Sequence, residues 1–293
     1  MRFALILLGL ASASAQFKVD VQLVRLPVNV KNSSGDLIGS LDRKEFSVYD
    51  NGIPQDIAVF ERYTTQPLSV AILIDTSAST AKDLRYETVS IGKFLTALFG
   101  EGNEQDMAAL YSFNYEVTLL RTFTRSQRQL EDRLRSLRAD SGTSVYDAIY
   151  FAAQELRGRP GRHVIVIVTD GGDTTSAKKY KDALESAQRA EAIMYPIVVV
   201  PITNDAGRNT GGEHALQTLA SSTGGRWFDP DVGERLDQAF TEILRDLRAQ
   251  YMIGYYPKGQ AQDVRGFHTV RVELNRRDLR AFTRTGYYGV ESR

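Results

Sequence analysis

The sequence predicts an α/β protein: a doubly wound, mostly parallel sheet inserted in a small β-sandwich built from the N- and C-terminal segments. Three observations predict it. Val70 to Ile74 is apolar without polar alternation and ends in Asp75, and Val164 to Val168 repeats the pattern before Thr169 and Asp170. Such runs read as strands buried on both faces, the habit of parallel sheets covered by helices. Strands alternate with helical periodicity from Leu68 to Leu247, which is the order of a doubly wound sheet. On either side the pattern returns to short β-rich runs separated by turn residues.

In chain order, Met1 to Ala15 carries one basic residue, an apolar run from Phe3 to Leu10 and a small-residue end, Ala13-Ser14-Ala15. This is the layout of a secretory signal peptide cleaved after Ala15, too short to span a bilayer, and it predicts a secreted or periplasmic mature chain. No later stretch is long and apolar enough for a membrane span. Residues 16–64 read as an N-terminal β segment. Phe17 to Val30 alternates loosely, Ser33 to Asp36 is a turn, and Phe46 to Tyr49 runs into the tight turn Asp50-Asn51-Gly52, with Ile57 to Tyr63 as the returning strand. Thr64 to Pro67 is the boundary.

Residues 65–249 hold the α/β domain. After the central strand, Leu84, Val89, Ile91, Phe94, Leu95 and Leu98 recur at helical spacing within Ala81 to Leu98. Met107 to Ser112 and Val117 to Phe123 are strands joined by a short turn. Ser126 caps a helix carrying Leu130, Leu134 and Leu137. Val145 to Leu156 and Ala177 to Ala190 are helices flanking the second buried strand, and Ile193 to Ile202 is a third such strand. His214 to Ser221 and Val232 to Leu247 are helices around a short strand at Arg226 to Phe228. In residues 250–293, Tyr251 to Tyr255, Phe267 to Leu274 and Arg280 to Tyr287 are strands. Three are few for an independent sheet, so they are expected to pack with the N-terminal strands.

Composition narrows the function. At 293 residues and 42% hydrophobic, the chain can bury a full core plus a smaller unit. Lys+Arg and Asp+Glu are both 36, so bulk charge points neither to nucleic acid nor to an anionic membrane. The absence of cysteine removes disulfides, thiolate metal sites and cysteine nucleophiles. His163, His214 and His268 lack ligand spacing, which argues against zinc. The arginines between Arg121 and Arg138 are interrupted by Glu131 and Asp132 and read as a solvated face. Gly211-Gly212 and Gly224-Gly225 make no nucleotide fingerprint.

Three groups converge at the carboxyl edge of the predicted sheet, where open α/β sheets bind ligands: Asp75 with Ser77 and Ser79, then Thr143, then Asp170. All offer hard oxygen, a set that selects Mg²⁺, Mn²⁺ or Ca²⁺. Five donors bring only two negative charges. An ion held mainly by hydroxyls stays electrophilic and seeks one more anionic oxygen.

Asp75-Thr76-Ser77-Ala78-Ser79 resembles the DxSxS element of the von Willebrand factor A (VWA) domain, Ser141-Gly142-Thr143-Ser144 its threonine loop, and Thr169-Asp170-Gly171 its second acidic loop. Together they are similar to the metal-ion-dependent adhesion site (MIDAS) of integrin I domains and their bacterial relatives, over about Pro67 to Leu247. The resemblance implies that Ser77, Ser79 and Thr143 contact Mg²⁺, that Asp75 and Asp170 act partly through water, and that a partner protein's Glu or Asp completes the octahedron. With the flanking β segments, the chain further resembles bacterial exported proteins that carry this domain.

Two more acids lie near the set as accessory candidates. Asp173 reads as the cap of the following helix before it reads as a ligand, and Asp147 as a brace for the threonine loop. The expected function is an exported, adhesion-type protein-binding module, not an enzyme. A scaffold with a structural metal keeps the same ligands without a partner. A metal-dependent hydrolase or phosphotransferase fits less well: phosphoaspartyl transfer needs a second acid two residues after the nucleophile, where Ser77 stands. A serine nucleophile needs a base, and no histidine is placed for it.

Overall fold

The computed structural model describes residues 23–62, 65–199, 210–230, 234–259 and 266–289. The expected leader, the start of the strand from Phe17, the end of the first returning strand at Tyr63, the end of the third buried strand, and Val232 lie outside the described residues.

The first part of the chain forms β1 (Val24–Asn32), β2 (Phe46–Asp50), β3 (Ile53–Gln55) and β4 (Ile57–Glu61). Asn51 and Gly52 both adopt positive φ, 48° and 79°, and turn β2 directly into β3, pairing Asp50 with Ile53. Two left-handed residues make the tight turn that suits the twist of a hairpin. The returning strand is therefore β3 and not Ile57 to Tyr63, which is a correction to the sequence reading. Pro54 fits because β3 is an edge strand.

The α/β part comprises β5 (Leu68–Asp75), α1 (Leu84–Glu101), β6 (Met107–Phe113), β7 (Val117–Thr124), α2 (Gln127–Leu134), α3 (Val145–Leu156), β8 (Arg162–Thr169), α4 (Tyr180–Arg189), β9 (Ala192–Val198), α5 (Thr210–Ser222) and α6 (Glu234–Arg248). The sheet order is β7-β6-β5-β8-β9, parallel except for β7. All eight residues of the central β5 are buried. Strand alternation divides them: Val70, Ile72 and Ile74 pack with α1, α2 and α6, while Ala71 and Leu73 pack with α3, α4 and α5. Each fully buried aliphatic side chain in these two layers contributes about 1.5–3 kcal/mol.

Local departures from the expected elements have local causes. The Thr80 hydroxyl donates to the carbonyls of Asp75 and Ser77, holding a turn there, so α1 begins at Leu84. Its buried face runs through Glu87, Ser90, Ile91, Phe94, Leu95 and Leu98, and Val89 faces solvent at 54% exposure. Ser126 stands at the start of α2 without a side-chain cap bond, and Leu137 is buried beyond the helix end. The expected strand at Arg226 to Phe228 is reduced to one bridge between Ile197 and Phe228.

The C-terminal strands are β10 (Tyr251–Tyr255), β11 (Phe267–Leu274), β12 (Leu279–Phe282) and β13 (Gly286–Tyr288). The last two replace one expected strand because the chain between them docks on the end of α5, with Arg284 bridged to Thr223 and Thr285 N donating to Ser222 O at 3.1 Å. Two four-stranded sheets result, β12-β1-β10-β4 and β13-β11-β2-β3, each mixing N- and C-terminal strands. Leu26, Val28, Phe46, Val48, Tyr251 and Ile253 lie in their shared core. The α/β unit is inserted in this sandwich, as the sequence predicts. Asn29 and Lys31 of β1 fasten it to α6: Asn29 Nδ2 donates to Asp246 O at 2.7 Å, and Lys31 Nζ lies 3.1 Å from the Asp246 carboxylate.

Candidate metal centre

The chemistry-bearing residues gather at the carboxyl end of β5. Asp75 is the strand's last residue and is wholly buried. Ser77 N donates to its Oδ1 at 2.8 Å and Thr169 Oγ1 to its Oδ2 at 2.6 Å, which fixes both oxygens. Burial pushes the Asp75 carboxyl up to about 6; the bonds from Thr169 and Ser77 oppose the shift, and the nearby Asp170 adds to it. Ser77 Oγ and Ser79 Oγ are 3.0 Å apart, the first buried and the second exposed. They lead from Asp75 toward solvent.

Backbone bonds bring the threonine loop to the same corner. Thr76 N donates to Phe113 O, and Asp140 N to Thr76 O, both at 2.8 Å. Tyr115 N donates to Ser141 O, and Ser144 Oγ to Tyr115 O. Gly142 sits between them with φ +80°, and a Cβ there would lie 2.8 Å from Tyr115 Cβ, so the loop needs glycine for conformation and for space. Thr143 N reaches the hydroxyls of Thr174 and Thr175 at 3.0 and 3.2 Å. Among the described residues its own hydroxyl has no hydrogen-bond partner, and neither does the Asp170 carboxylate.

The accessory acids are engaged elsewhere. Asp173 Oδ1 accepts from Tyr146 N at 3.2 Å and from the Ser176 hydroxyl, so it caps α3 and not the helix that follows it. Asp147 accepts from Ala177 N at 2.9 Å and Lys178 N at 2.7 Å, bracing the acidic loop against α3.

Thr169, part of the acidic-loop motif, has the further role of orienting Asp75. Several residues here are not singled out by motif. Thr174 with Thr175 anchors Thr143. Gly212, part of a pair that makes no nucleotide fingerprint, lets the first turn of α5 approach the acidic loop: a Cβ there would sit 1.8 Å from Gly171 O. Glu87 is another. Its signal in the sequence is a charge in the apolar stripe of α1, three residues after Leu84 and four before Ile91.

Among the described residues no group of three or more His, Asp or Glu side chains could hold a metal ion. A cation at this corner would rest on hydroxyls and no more than two carboxylates. Asp75, Ser77, Ser79, Thr143 and Asp170 fit that description, with hard oxygen throughout, which suits Mg²⁺, Mn²⁺ or Ca²⁺.

Solved structures share the fold. The vWF domain of the type V pili tip protein Mfa5 from Porphyromonas gingivalis is 16% identical, with 62% of this chain and 95% of that chain covered and a TM-score of 0.51. The pilus adhesin SpaC from Lactobacillus rhamnosus GG, in its open conformation, is 10% identical with a TM-score of 0.52, over 87% of this chain and 42% of that one. No curated protein matches the chain. The von Willebrand factor type A domain model matches residues 69–242, more than half of the chain and the whole span from β5 into α6. With its central strand, sheet order and edge loops as described, the chain belongs to the von Willebrand factor type A domain family.

Proposed function

We propose that this chain is an exported, cation-dependent protein-binding module of adhesion type, which captures a Glu or Asp side chain of a partner protein. The observation that carries the reading is the corner itself. Asp75 is oriented from both sides, while the Ser77 and Ser79 hydroxyls, the Thr143 hydroxyl and Asp170 stand at the same edge of the sheet without a cationic partner among the described residues. A divalent cation held there supplies a coordination position for one further anionic oxygen. The chain's part is to hold the donors rigidly and to keep their summed charge low, so that an incoming carboxylate is attracted.

A binding role suits the donors better than catalysis. Ser77 Oγ is paired with Ser79 Oγ and not with a base, and Asp75 has both oxygens occupied by donors. Fold-level similarity to a pilus tip protein and a pilus adhesin fits export, as does the expected leader, and among the described residues no helix is long and apolar enough to cross a membrane.

Calorimetric titration of Mg²⁺, Mn²⁺ and Ca²⁺ into the mature protein tests the reading, alongside Asp75→Ala and Thr143→Ala. Binding to wild type that disappears in both folded variants is the expected result. Partner capture should then be lost in EDTA. Cation binding without any cation-dependent partner would favour a structural metal, and release of phosphate or ester product by the purified protein would reopen the enzyme reading.

A further inference from the structure

One buried carboxyl beside this corner has no donor among the described residues. Glu87, in the first turn of α1, is 0% exposed, and among the described residues neither of its oxygens has a hydrogen-bond partner. Buried polar groups are nearly always hydrogen-bonded, so an orphaned acid in a packed helix face calls for a physical reason. Its electrostatic surroundings narrow the reason. Burial is the main cause that pushes its carboxyl up to about 8, and Asp75, Asp83 and Asp170 add to the shift with the same sign. Asp83 is the residue before α1, and its carbonyl accepts from Glu87 N. Glu87 thus lies within electrostatic reach of Asp75 and Asp170, the two acids of the candidate site, with no donor among the described residues to offset them. A packing role alone would be served better by an apolar side chain beside Ile91, Phe94, Leu95 and Leu98, which with Ser90 make up the rest of the buried face.

We infer that Glu87 belongs to the cation centre as a positioning residue, its carboxylate accepting a hydrogen bond from a water on the ion. The inference rests on the cation-binding reading above. Contact through water, not direct ligation, follows from the absence of any described group of three acids able to hold an ion. Groups of this kind hold a metal's water shell in place, and removing one commonly weakens metal affinity about 10–100-fold.

The test is Mn²⁺ titration into the full mature chain, comparing wild type, Glu87→Gln and D75A, with melting temperatures taken in EDTA. The expected result is an E87Q protein whose melting temperature in EDTA is no lower than wild type but whose Mn²⁺ affinity is weaker by about 10–100-fold. E87M, which fills similar volume without polar atoms, carries the same comparison if E87Q does not fold. E87D, which keeps the carboxylate, should recover part of the affinity; a merely structural role predicts no such recovery. Wild-type affinity in a folded E87Q or E87M overturns the inference and leaves the cation-binding reading standing. A folded wild type that binds no Mn²⁺ overturns both.

Discussion

Asp50 shows what a buried acid looks like when its donors are in place. It is 0% exposed in the sandwich core and accepts from the Tyr255 hydroxyl at 2.8 Å and the Tyr287 hydroxyl at 2.7 Å, with His268 Nδ1 3.1 Å away. Asp50→Ala leaves several buried polar groups without an acceptor and should cost about 3 kcal/mol in urea unfolding, whereas Tyr287→Phe removes one donor and should cost about 1 kcal/mol. Glu87 is the opposite case. In the metal-free fold its carboxyl is raised from an ordinary value of 4.5 to about 8, so the folded protein holds a proton that the unfolded chain releases. The stability tied to that proton is complete below about pH 4.5 and is lost as pH rises through about 8. The melting temperature in EDTA should therefore fall between pH 5 and pH 8, and Glu87→Gln should flatten that fall; parallel curves for the two proteins would contradict it.

At the scale of elements, the threonine loop depends on one glycine. Gly142→Ala forces a side chain into φ +80° and against Tyr115. The conformation alone costs of order 1–3 kcal/mol. Because Thr143 is the next residue, the variant should lose cation affinity more than it loses global stability, which Mn²⁺ titration beside thermal melting will separate. The elements differ in how far the sequence announces them. The strands β5 and β8 are legible because burial on both faces leaves no polar residue in the run, and α3 because its apolar stripe is unbroken from Val145 to Leu156. The motif residues are legible because DxSxS, Thr143 and Asp170 follow strands or loops in a fixed order. What escapes is set by tertiary contacts. β3 and β4 are both β-patterned, and only the two positive φ values at Asn51 and Gly52 decide which one returns along β2. Val89 fits a helical count as well as Glu87 does, and hydrophobicity favours the wrong one. Thr174 and Thr175 carry no signal beyond a hydroxyl until the loops meet, and the motif that contains Thr169 does not reveal that its hydroxyl holds Asp75.

Across the whole molecule, the two ends of the chain depend on each other. β1 lies between β10 and β12, pairing Leu26 with Ile253 and Val30 with Ala281. A chain ending at Ala249 deprives β1 of both neighbours and β2 of β11. Such a truncation should keep the five-stranded sheet while residues 23–62 lose amide protection and become protease-sensitive; a stable, protease-resistant N-terminal fragment would contradict the interleaved sandwich. The insertion also has a mechanical consequence. The chain leaves the sandwich from β4 and returns to it in β10, and these strands are hydrogen-bonded neighbours, with Glu61 opposite Met252. From that neck β5 runs about 25 Å to Asp75 at the far edge. A force applied at that edge passes along the sheet and reaches the sandwich through two adjacent strands loaded from the same end. They share the tension, and because they are zipped to each other they resist the swivelling that a single tether would allow.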